Sequence, residues 1–267
     1  MTVKINPLVN SELNILSIQV SLDGFSFYIH SDNSNKPIHA EHFAYKNVTT
    51  AEQALIEIQQ LFENSTILHN SFSNVSVVYA NELYTIVPKQ LFDPKNLTDY
   101  LKFNTKILKT DFIVYDELES LDLINIYVPY TNINNFFFDH FGTFTYYHSQ
   151  SILIKNILED STVSAEPQVY IQVGLKTFDL LIYEGKSLLL SNHFKYTTDA
   201  DFVYYILFCL EQLALNPEEI KVSFKGFIDT EDSKYQLIYT YVRNVEIVET
   251  VEENQLNYAY LKYNLNL

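Results

Sequence analysis

Residues 16–29, LSIQVSLDGFSFYI, align without a gap on residues 169–182, VYIQVGLKTFDLLI. Ile18, Gln19, Val20, Leu22, Phe25 and Ile29 meet identical residues at Ile171, Gln172, Val173, Leu175, Phe178 and Ile182. After a small length difference, His42-Phe43-Ala44-Tyr45 falls on His193-Phe194-Lys195-Tyr196. A threonine-led helix and then a strand follow in both halves, Val75–Tyr79 in one and Ile220–Phe224 in the other. Self-similarity of this kind marks a repeated supersecondary unit. The expectation is an α/β chain in two subdomains, each built on one copy of a βββαβα unit.

The local pattern fills in each copy. Leu16–Tyr28 reads as a hairpin turning at Asp23-Gly24, with a third strand over Ile38–Tyr45. Thr50-Ala51-Glu52-Gln53 is a capping-box pattern, and Ala54, Leu55, Ile58, Leu61 and Phe62 follow at helical spacing. Strands are expected over Val75–Tyr79, Tyr84–Val87, Phe112–Tyr115 and Leu123–Val128. Asp93-Pro94 predicts a helix running to about Thr105, and Thr131 one that ends before Gly142. Ser151–Leu158 reads as a further helix. Glu159–Gln168, EDSTVSAEPQ, is the best linker, which puts the subdomains at 1–160 and 161–267. The second copy shows strands over Val169–Val173, Phe178–Tyr183 and Ser187–Tyr196, with a turn at Glu184-Gly185. A nearly all-apolar helix over Asp199–Ala214, a strand over Val222–Phe224, a helix capped by Asp229 or Thr230 and running to Val242, and a strand over Val245–Val248 complete it.

Composition narrows the chemistry. The chain has 33 acidic and 17 basic side chains and a formal charge of -16, which argues against nucleic acid, because phosphate binding needs clustered Lys and Arg. One cysteine, Cys209, excludes a disulfide framework and any cysteine-cluster metal site, and its apolar helix marks it as a buried thiol. Among 5 glycines there is no Gly-Gly or Gly-x-Gly, so no phosphate-cradling loop of the usual kind exists. Met1–Asn10 lacks the apolar core of a signal peptide, and the longest apolar run, Phe202–Leu210, is too short to cross a bilayer. A cytoplasmic protein without membrane insertion is expected. His39 and His42 alternate on a strand and point to opposite faces, which disfavours joint chelation; His140 and His148 read as solvent-facing or capping residues. The acidic segment Glu246–Glu253 reads as a solvated face.

A duplicated βββαβα unit of this length resembles the actin-like ATPase (ribonuclease H-like) domain shared by actin, sugar kinases and the Hsp70 nucleotide-binding domain. The chain is similar to its small bacterial members, such as the actin-like proteins of pilus assembly and cell division. Residues 125–158, NIYVPYTNINNFFFDHFGTFTYYHSQSILIKNIL, together with the two IQV hairpins, carry a closer resemblance to an uncharacterised bacterial family with a degenerate version of that domain.

The resemblance implies where a nucleotide would sit. In active members an Asp-x-Gly at the end of each first strand orients hydrated magnesium, and the hairpin turns hold the phosphates. Here the acids fall on Gln19 and Gln172 and the glycines on Ser21 and Gly174. Asp23, beside Gly24, reads as a turn residue that could substitute in the first half, and Lys176, beside Thr177, as an exposed hairpin lysine placed where it could meet a phosphate. The adenosine loop corresponds to Phe224-Lys225-Gly226-Phe227, with one glycine where active members have a pair. Amide side chains lack the charge that holds a hard, hydrated dication. No catalytic residue, metal ligand or cofactor is therefore assigned. The expected function is a non-catalytic actin-like module, a pseudo-ATPase acting by protein–protein interaction or self-association. The alternative is an ATPase or small-molecule kinase binding Mg-ATP through altered phosphate loops, or a nucleotide sensor without hydrolysis.

Overall fold

The computed structural model describes residues 14–31, 34–108, 111–160 and 166–250, which form two compact units dividing between Leu153 and Ile154. The first holds β1 (Asn14–Val20), β2 (Gly24–Ser31), β3 (Ser34–Ala44), α1 (Ala51–Asn64) and β4 (Asn74–Tyr79). It continues through β5 (Tyr84–Pro88), α2 (Leu97–Leu101), β6 (Val114–Leu118), β7 (Leu123–Tyr127), α3 (Thr131–Phe141) and β8 (Thr145–His148). Helix α4 (Ser149–Asp160) carries the chain across the division. The second unit holds β9 (Pro167–Val173), β10 (Thr177–Glu184), β11 (Ser187–Lys195), α5 (Asp199–Gln212), β12 (Lys221–Gly226), α6 (Ser233–Tyr239) and β13 (Asn244–Thr250).

Each unit has a five-stranded sheet of the same topology, β3-β2-β1-β4-β8 in the first and β11-β10-β9-β12-β13 in the second. The registers coincide with the sequence repeat. Val20 pairs with Phe25 as Val173 pairs with Phe178, and Ile18 lies beside Val77 as Ile171 lies beside Phe224. Alternation then decides what is buried where. Leu16, Ile18, Val20, Phe25, Phe27 and Ile29 pack on α1 and α3 through Ala54, Ile58, Phe62, Ile133 and Phe137. In the second unit Val169, Ile171, Val173, Phe178, Leu180 and Ile182 pack on Phe202, Val203, Ile206, Leu210 and Ile238. Each fully buried aliphatic or aromatic side chain stabilises by about 1.5–3 kcal/mol, so the shared register carries most of each core.

The helices start where the caps direct. Thr50 Oγ1 accepts from the Gln53 N–H, and Thr198 with Asp201 forms a complete capping box on α5. Other expected boundaries need correction. The helix expected from Asp93 is only α2, because Asp93 instead closes a turn, accepting from the Lys95 N–H at 2.9 Å. Thr131 is the first helical residue of α3, and the cap position is Tyr130 without a side-chain bond. Asp229 likewise closes a turn, accepting from the N–H groups of Glu231 and Asp232, and Asp232 caps the shorter α6. Of the expected linker Glu159–Gln168, residues 161–165 lie outside the described residues, while Glu159 and Asp160 end α4 and Pro167 and Gln168 open β9.

The copies differ by an insertion. Between β4 and α3 the first unit carries an antiparallel three-stranded sheet, β5-β7-β6, with its own core of Val87, Leu101, Ile124, Ile126 and Val128. The second unit passes from β12 to α6 through a short turn. Among the described residues no helix is long and apolar enough to cross a membrane.

Candidate functional site

In each unit the first hairpin turn closes on itself. Ser21 Oγ accepts from the N–H groups of Asp23 and Gly24, both at 3.1 Å, and the Ser21 N–H donates to the Gly24 carbonyl at 3.1 Å. Those N–H groups are spent inside the turn, whereas a phosphate cradle would need them free. Gly24 answers a packing demand: a Cβ there would lie 2.6 Å from His42 Cε1 and 2.7 Å from the Phe43 carbonyl oxygen. Asp23 is exposed, and its carbonyl accepts from the Tyr45 N–H at 2.9 Å.

The second turn reaches the same end differently. The Gly174 N–H donates to the Thr177 carbonyl at 2.8 Å, and the Tyr196 hydroxyl donates to the carbonyls of Gly174 and Leu175 at 2.9 and 3.0 Å. The Tyr196 N–H reaches the Lys176 carbonyl, while the Lys176 side chain stays exposed. Tyr196 stands where the repeat puts Tyr45, so one tyrosine position braces both turns by its backbone and the second also by its hydroxyl.

The two strand-end glutamines face away from their apolar cores. Gln19 is buried and its Oε1 has no hydrogen-bond partner. Gln172 is buried and accepts from the Tyr170 hydroxyl at 3.3 Å. Cross-strand pairing places Gln172 in a row that runs His193, Asp179, Gln172, Lys225, Glu249 across all five strands. Asp179 Oδ1 meets His193 Nδ1 at 2.6 Å, and Lys225 Nζ meets Glu249 Oε2 at 2.8 Å. In the first unit the same row is His42, Ser26, Gln19, Val78, Tyr147. There Ser26 Oγ lies 3.0 Å from His42 Nδ1, and burial pushes the His42 imidazole down to about 4. The row sits at the carboxyl ends of the parallel strands, the usual place for ligands in such sheets. In the second unit its charged groups answer one another.

Gly226 completes that neighbourhood. Its φ is +113°, and a Cβ would lie 2.2 Å from the Val173 carbonyl oxygen and 2.9 Å from Gln172 Nε2. The Phe227 N–H donates to the same Val173 carbonyl at 2.9 Å. Close approach of β9 and the end of β12 therefore requires this glycine. Gln172, Lys225 and Gly226 are neighbours, as are Ser21, Asp23 and Gly24, so the sequence-derived candidates form a local group within each unit. Asp179, His193 and Glu249 were not among them. The His42–His193 match pointed to the pair, but its partner Asp179 follows only from the register, which a bulge between Ile182 and Tyr183 obscures.

A second polar constellation has no local signature in the sequence. Asp116, on β6, is buried; its Oδ1 accepts from the Tyr127 hydroxyl at 3.0 Å. Its Oδ2 accepts from the His148 N–H at 2.8 Å and from Ser151 Oγ at 2.6 Å. Asn125 Nδ2 donates to Ser151 Oγ at 2.8 Å. His148 is itself a buried cap: Nδ1 accepts from the Gln150 N–H at 3.1 Å, which places the ring proton on Nε2, facing Asn81 Oδ1 at 3.4 Å. Burial pushes the Asp116 carboxyl up to about 7, against the pull of its three donors.

The remaining candidates are structural. His39 bonds Glu41 at 2.7 Å while His42 bonds Ser26, on opposite faces of β3 as expected. His140 packs edge-on against Phe62 and Phe141, and Cys209 is a buried thiol that burial pushes up to about 11. Glu246 and Glu249 bridge to Lys221 and Lys225, and the rest of the acidic segment lies outside the described residues from 251 on. Among the described residues no group of three or more His, Cys, Asp or Glu could hold a metal ion.

Known structures share this architecture. The chain is similar to a Bacteroides thetaiotaomicron protein with an actin-like ATPase fold and unknown function, with a TM-score of 0.81 and 20% identity over 94% of this chain and 96% of that one. It is similar to a chain of the PilM-PilN type IV pilus biogenesis complex, with a TM-score of 0.54 and 10% identity over 92% of this chain and 89% of the other. The ethanolamine utilization protein EutJ from Carboxydothermus hydrogenoformans gives a TM-score of 0.53 and 6% identity over 97% and 91%. No curated protein matches. The fold is the actin-like ATPase fold in two sheet-based subdomains. The model of the protein family of unknown function DUF3822 matches residues 4–245, and the chain belongs to that family.

Proposed function

We propose that this chain is a non-catalytic member of the actin-like fold that acts by binding another protein. The observation that carries this is the buried glutamine at the end of each first strand, Gln19 and Gln172, where a magnesium-dependent site needs charge. The rest of each site agrees. The turn N–H groups of Asp23, Gly24 and Gly174 have internal acceptors, and the charged groups beside Gln172 form Asp179–His193 and Lys225–Glu249 pairs. A magnesium nucleotide does not fit these residues, so no catalytic step is assigned. PilM, a protein of similar fold, is solved in a complex with PilN, and the proposal brings a protein-binding role of that kind to this chain. The formal charge of -16 favours a protein partner over a nucleic acid.

The test is thermal unfolding with and without millimolar Mg-ATP. A nucleotide at about 100 times its dissociation constant would stabilise by about 2.7 kcal/mol and raise the melting temperature by several degrees. An unchanged transition is expected. A clear rise, abolished by Gln172→Ala or Lys176→Ala, would overturn the proposal in favour of a nucleotide-binding protein with altered loops.

A further inference from the structure

The inserted sheet meets its parent sheet around one buried carboxyl. The pairs Asp116–Asn125 and Val114–Tyr127, with strand alternation, put Asp116 of β6 on the same face as Asn125 and Tyr127 of β7. That face is opposite the one whose Ile124 and Ile126 build the core under α2. It meets residues 146–151, at the end of β8 and the start of α4. The second unit has no counterpart, because β12 runs to α6 without an inserted sheet.

The two oxygens of Asp116 are held differently. Oδ2 takes the His148 main-chain N–H at 2.8 Å and the Ser151 hydroxyl at 2.6 Å. A main-chain N–H cannot reverse, and the Ser151 hydrogen is committed to Asp116 because Asn125 Nδ2, at 2.8 Å, already donates to the Ser151 oxygen. Among the described residues Oδ1 takes one donor, the Tyr127 hydroxyl at 3.0 Å. That hydroxyl can rotate, and it has a second acceptor in reach, the Tyr146 carbonyl on β8 at 3.5 Å. A proton arriving at Asp116 therefore enters on Oδ1. The new O–H donates to the Tyr127 oxygen, and the Tyr127 hydrogen turns to the Tyr146 carbonyl. None of these buried donors loses its acceptor in either state, so both states are compatible with the fold.

We infer that Asp116 and Tyr127 form a proton-set latch: ionised Asp116 keeps the Tyr127 hydroxyl within the inserted sheet, and protonated Asp116 passes it to Tyr146, tying that sheet to β8. One O–H bond forms, on Oδ1, with a proton from solvent; the Tyr127 O–H turns without breaking. Burial holds the carboxyl at about 7, so the latch changes state near neutrality. The titratable groups around it are Tyr127 of β7, Tyr146 of β8 and, beyond Tyr127, Tyr79 of β4. Burial raises all three phenols above their usual range, so they keep their protons. His148 presents its main-chain N–H, while its ring faces Gln150 and Asn81 and packs on Tyr84 of β5. The latch needs neither nucleotide nor partner, so it stands or falls apart from the function proposed above.

The test is an NMR titration of the full chain from about pH 5 to about pH 9, which brackets the carboxyl. The Asp116 carboxyl carbon reports its own proton. The Tyr147 main-chain nitrogen reports hydrogen bonding at the preceding Tyr146 carbonyl. In wild type both should move with one midpoint, the Tyr147 nitrogen downfield as pH falls. In Tyr127→Phe the carboxyl should still titrate while the Tyr147 response is lost, and in Asp116→Asn that response should be absent. Should Tyr127→Phe not fold, the Tyr127 hydroxyl proton of wild type decides. It should move upfield as pH falls, since a carbonyl is a weaker acceptor than a carboxylate, and an unmoved signal overturns the latch. An Asp116 still ionised at about pH 5 overturns it too. So does a titrating Asp116 with a static Tyr147 nitrogen, which puts the proton on Oδ2. An equal Tyr147 response in Tyr127→Phe assigns the shift to charge alone, and one that persists in Asp116→Asn assigns it to His148; either result overturns the latch.

Discussion

Asp116 accepts a 2.6 Å hydrogen bond from Ser151 Oγ, so a carboxyl on the inserted sheet holds the first turn of the helix that leads into the second unit. The bond joins elements 35 residues apart and lies among wholly buried groups. Its strength depends on the protonation of Asp116.

Asp116 makes stability fall as pH rises. Its carboxyl stands at about 7 in the fold, against about 3.9 in an unfolded chain, so between those values the native state holds a proton that the unfolded state has lost. That contribution is complete below about pH 4 and gone above about pH 7, with a ceiling on the order of 4 kcal/mol. His42, held near 4, acts oppositely: its contribution is present above the ordinary histidine pKa and is lost as pH falls toward 4. Comparing variant with wild type cancels it. In Asp116→Asn the amide oxygen can serve the His148 and Ser151 donors, so wild type should be the more stable at pH 5 and lose its advantage by pH 8, measured by urea unfolding. Parallel stability–pH curves would remove Asp116 as the cause.

The carbonyl of Gln19 is buried without a partner, a cost of about 1–3 kcal/mol. Gln19→Leu should therefore leave stability unchanged or raise it. Gln19→Asp, which restores the acid of an active site, puts a carboxylate in a buried row whose neighbours are Ser26 and Val78, with no cation among them. It should destabilise by about 2 kcal/mol or more at pH 7 and less at pH 5, where the new acid can take a proton. A stable Gln19→Asp variant that gains stability with magnesium would show that the site needs only its charge back.

These two sites differ in how far the sequence discloses them. The hairpins around Gln19 and Gln172 are legible because strand alternation and a tight turn fix register locally, and the repeat confirms each with the other. Thr50 and Thr198 mark α1 and α5 for the same reason. Asp116 sits in YDELES, just past the strand expected over Phe112–Tyr115, whereas the strand formed is β6 at Val114–Leu118. Its burial depends on pairing with β7 and on docking against residues 148–151, neither of which leaves a local signature. Asp93-Pro94 shows the converse error, because an Asp that accepts a following N–H serves a turn as well as a helix. The five-residue polar row needed β12 placed beside β9 and β13 beside β12, which the repeat suggests for β12 but not for the bulged partner β13.

Ser21 Oγ satisfies two N–H groups of the first turn, at Asp23 and Gly24. Ser21→Ala should cost about 1 kcal/mol, since the turn is near solvent and water can replace part of the loss. Ser21→Thr should retain most of it. If the closed turn is what excludes phosphate, Ser21→Ala should also show weak anion protection, with a higher melting temperature in phosphate than wild type gains. Equal gains in phosphate would mean that freeing these N–H groups does not make a cradle.

Gly226 and Gly142 separate backbone strain from collision. Both have positive φ, +113° and +73°, but a Cβ at Gly142 would meet nothing within 4 Å, whereas one at Gly226 would lie 2.2 Å from the Val173 carbonyl oxygen. Gly142→Ala should therefore lose only the conformational preference at the end of α3, about 1 kcal/mol. Gly226→Ala must also push β9 and the end of β12 apart, breaking the Phe227 N–H bond to Val173 and displacing Gln172. A loss of about 3 kcal/mol or more is expected, at the upper end for single substitutions. Equilibrium unfolding of both variants in urea checks the difference. Similar losses would mean that the strands have room to move at Gly226, and that this glycine is kept for something other than their close approach.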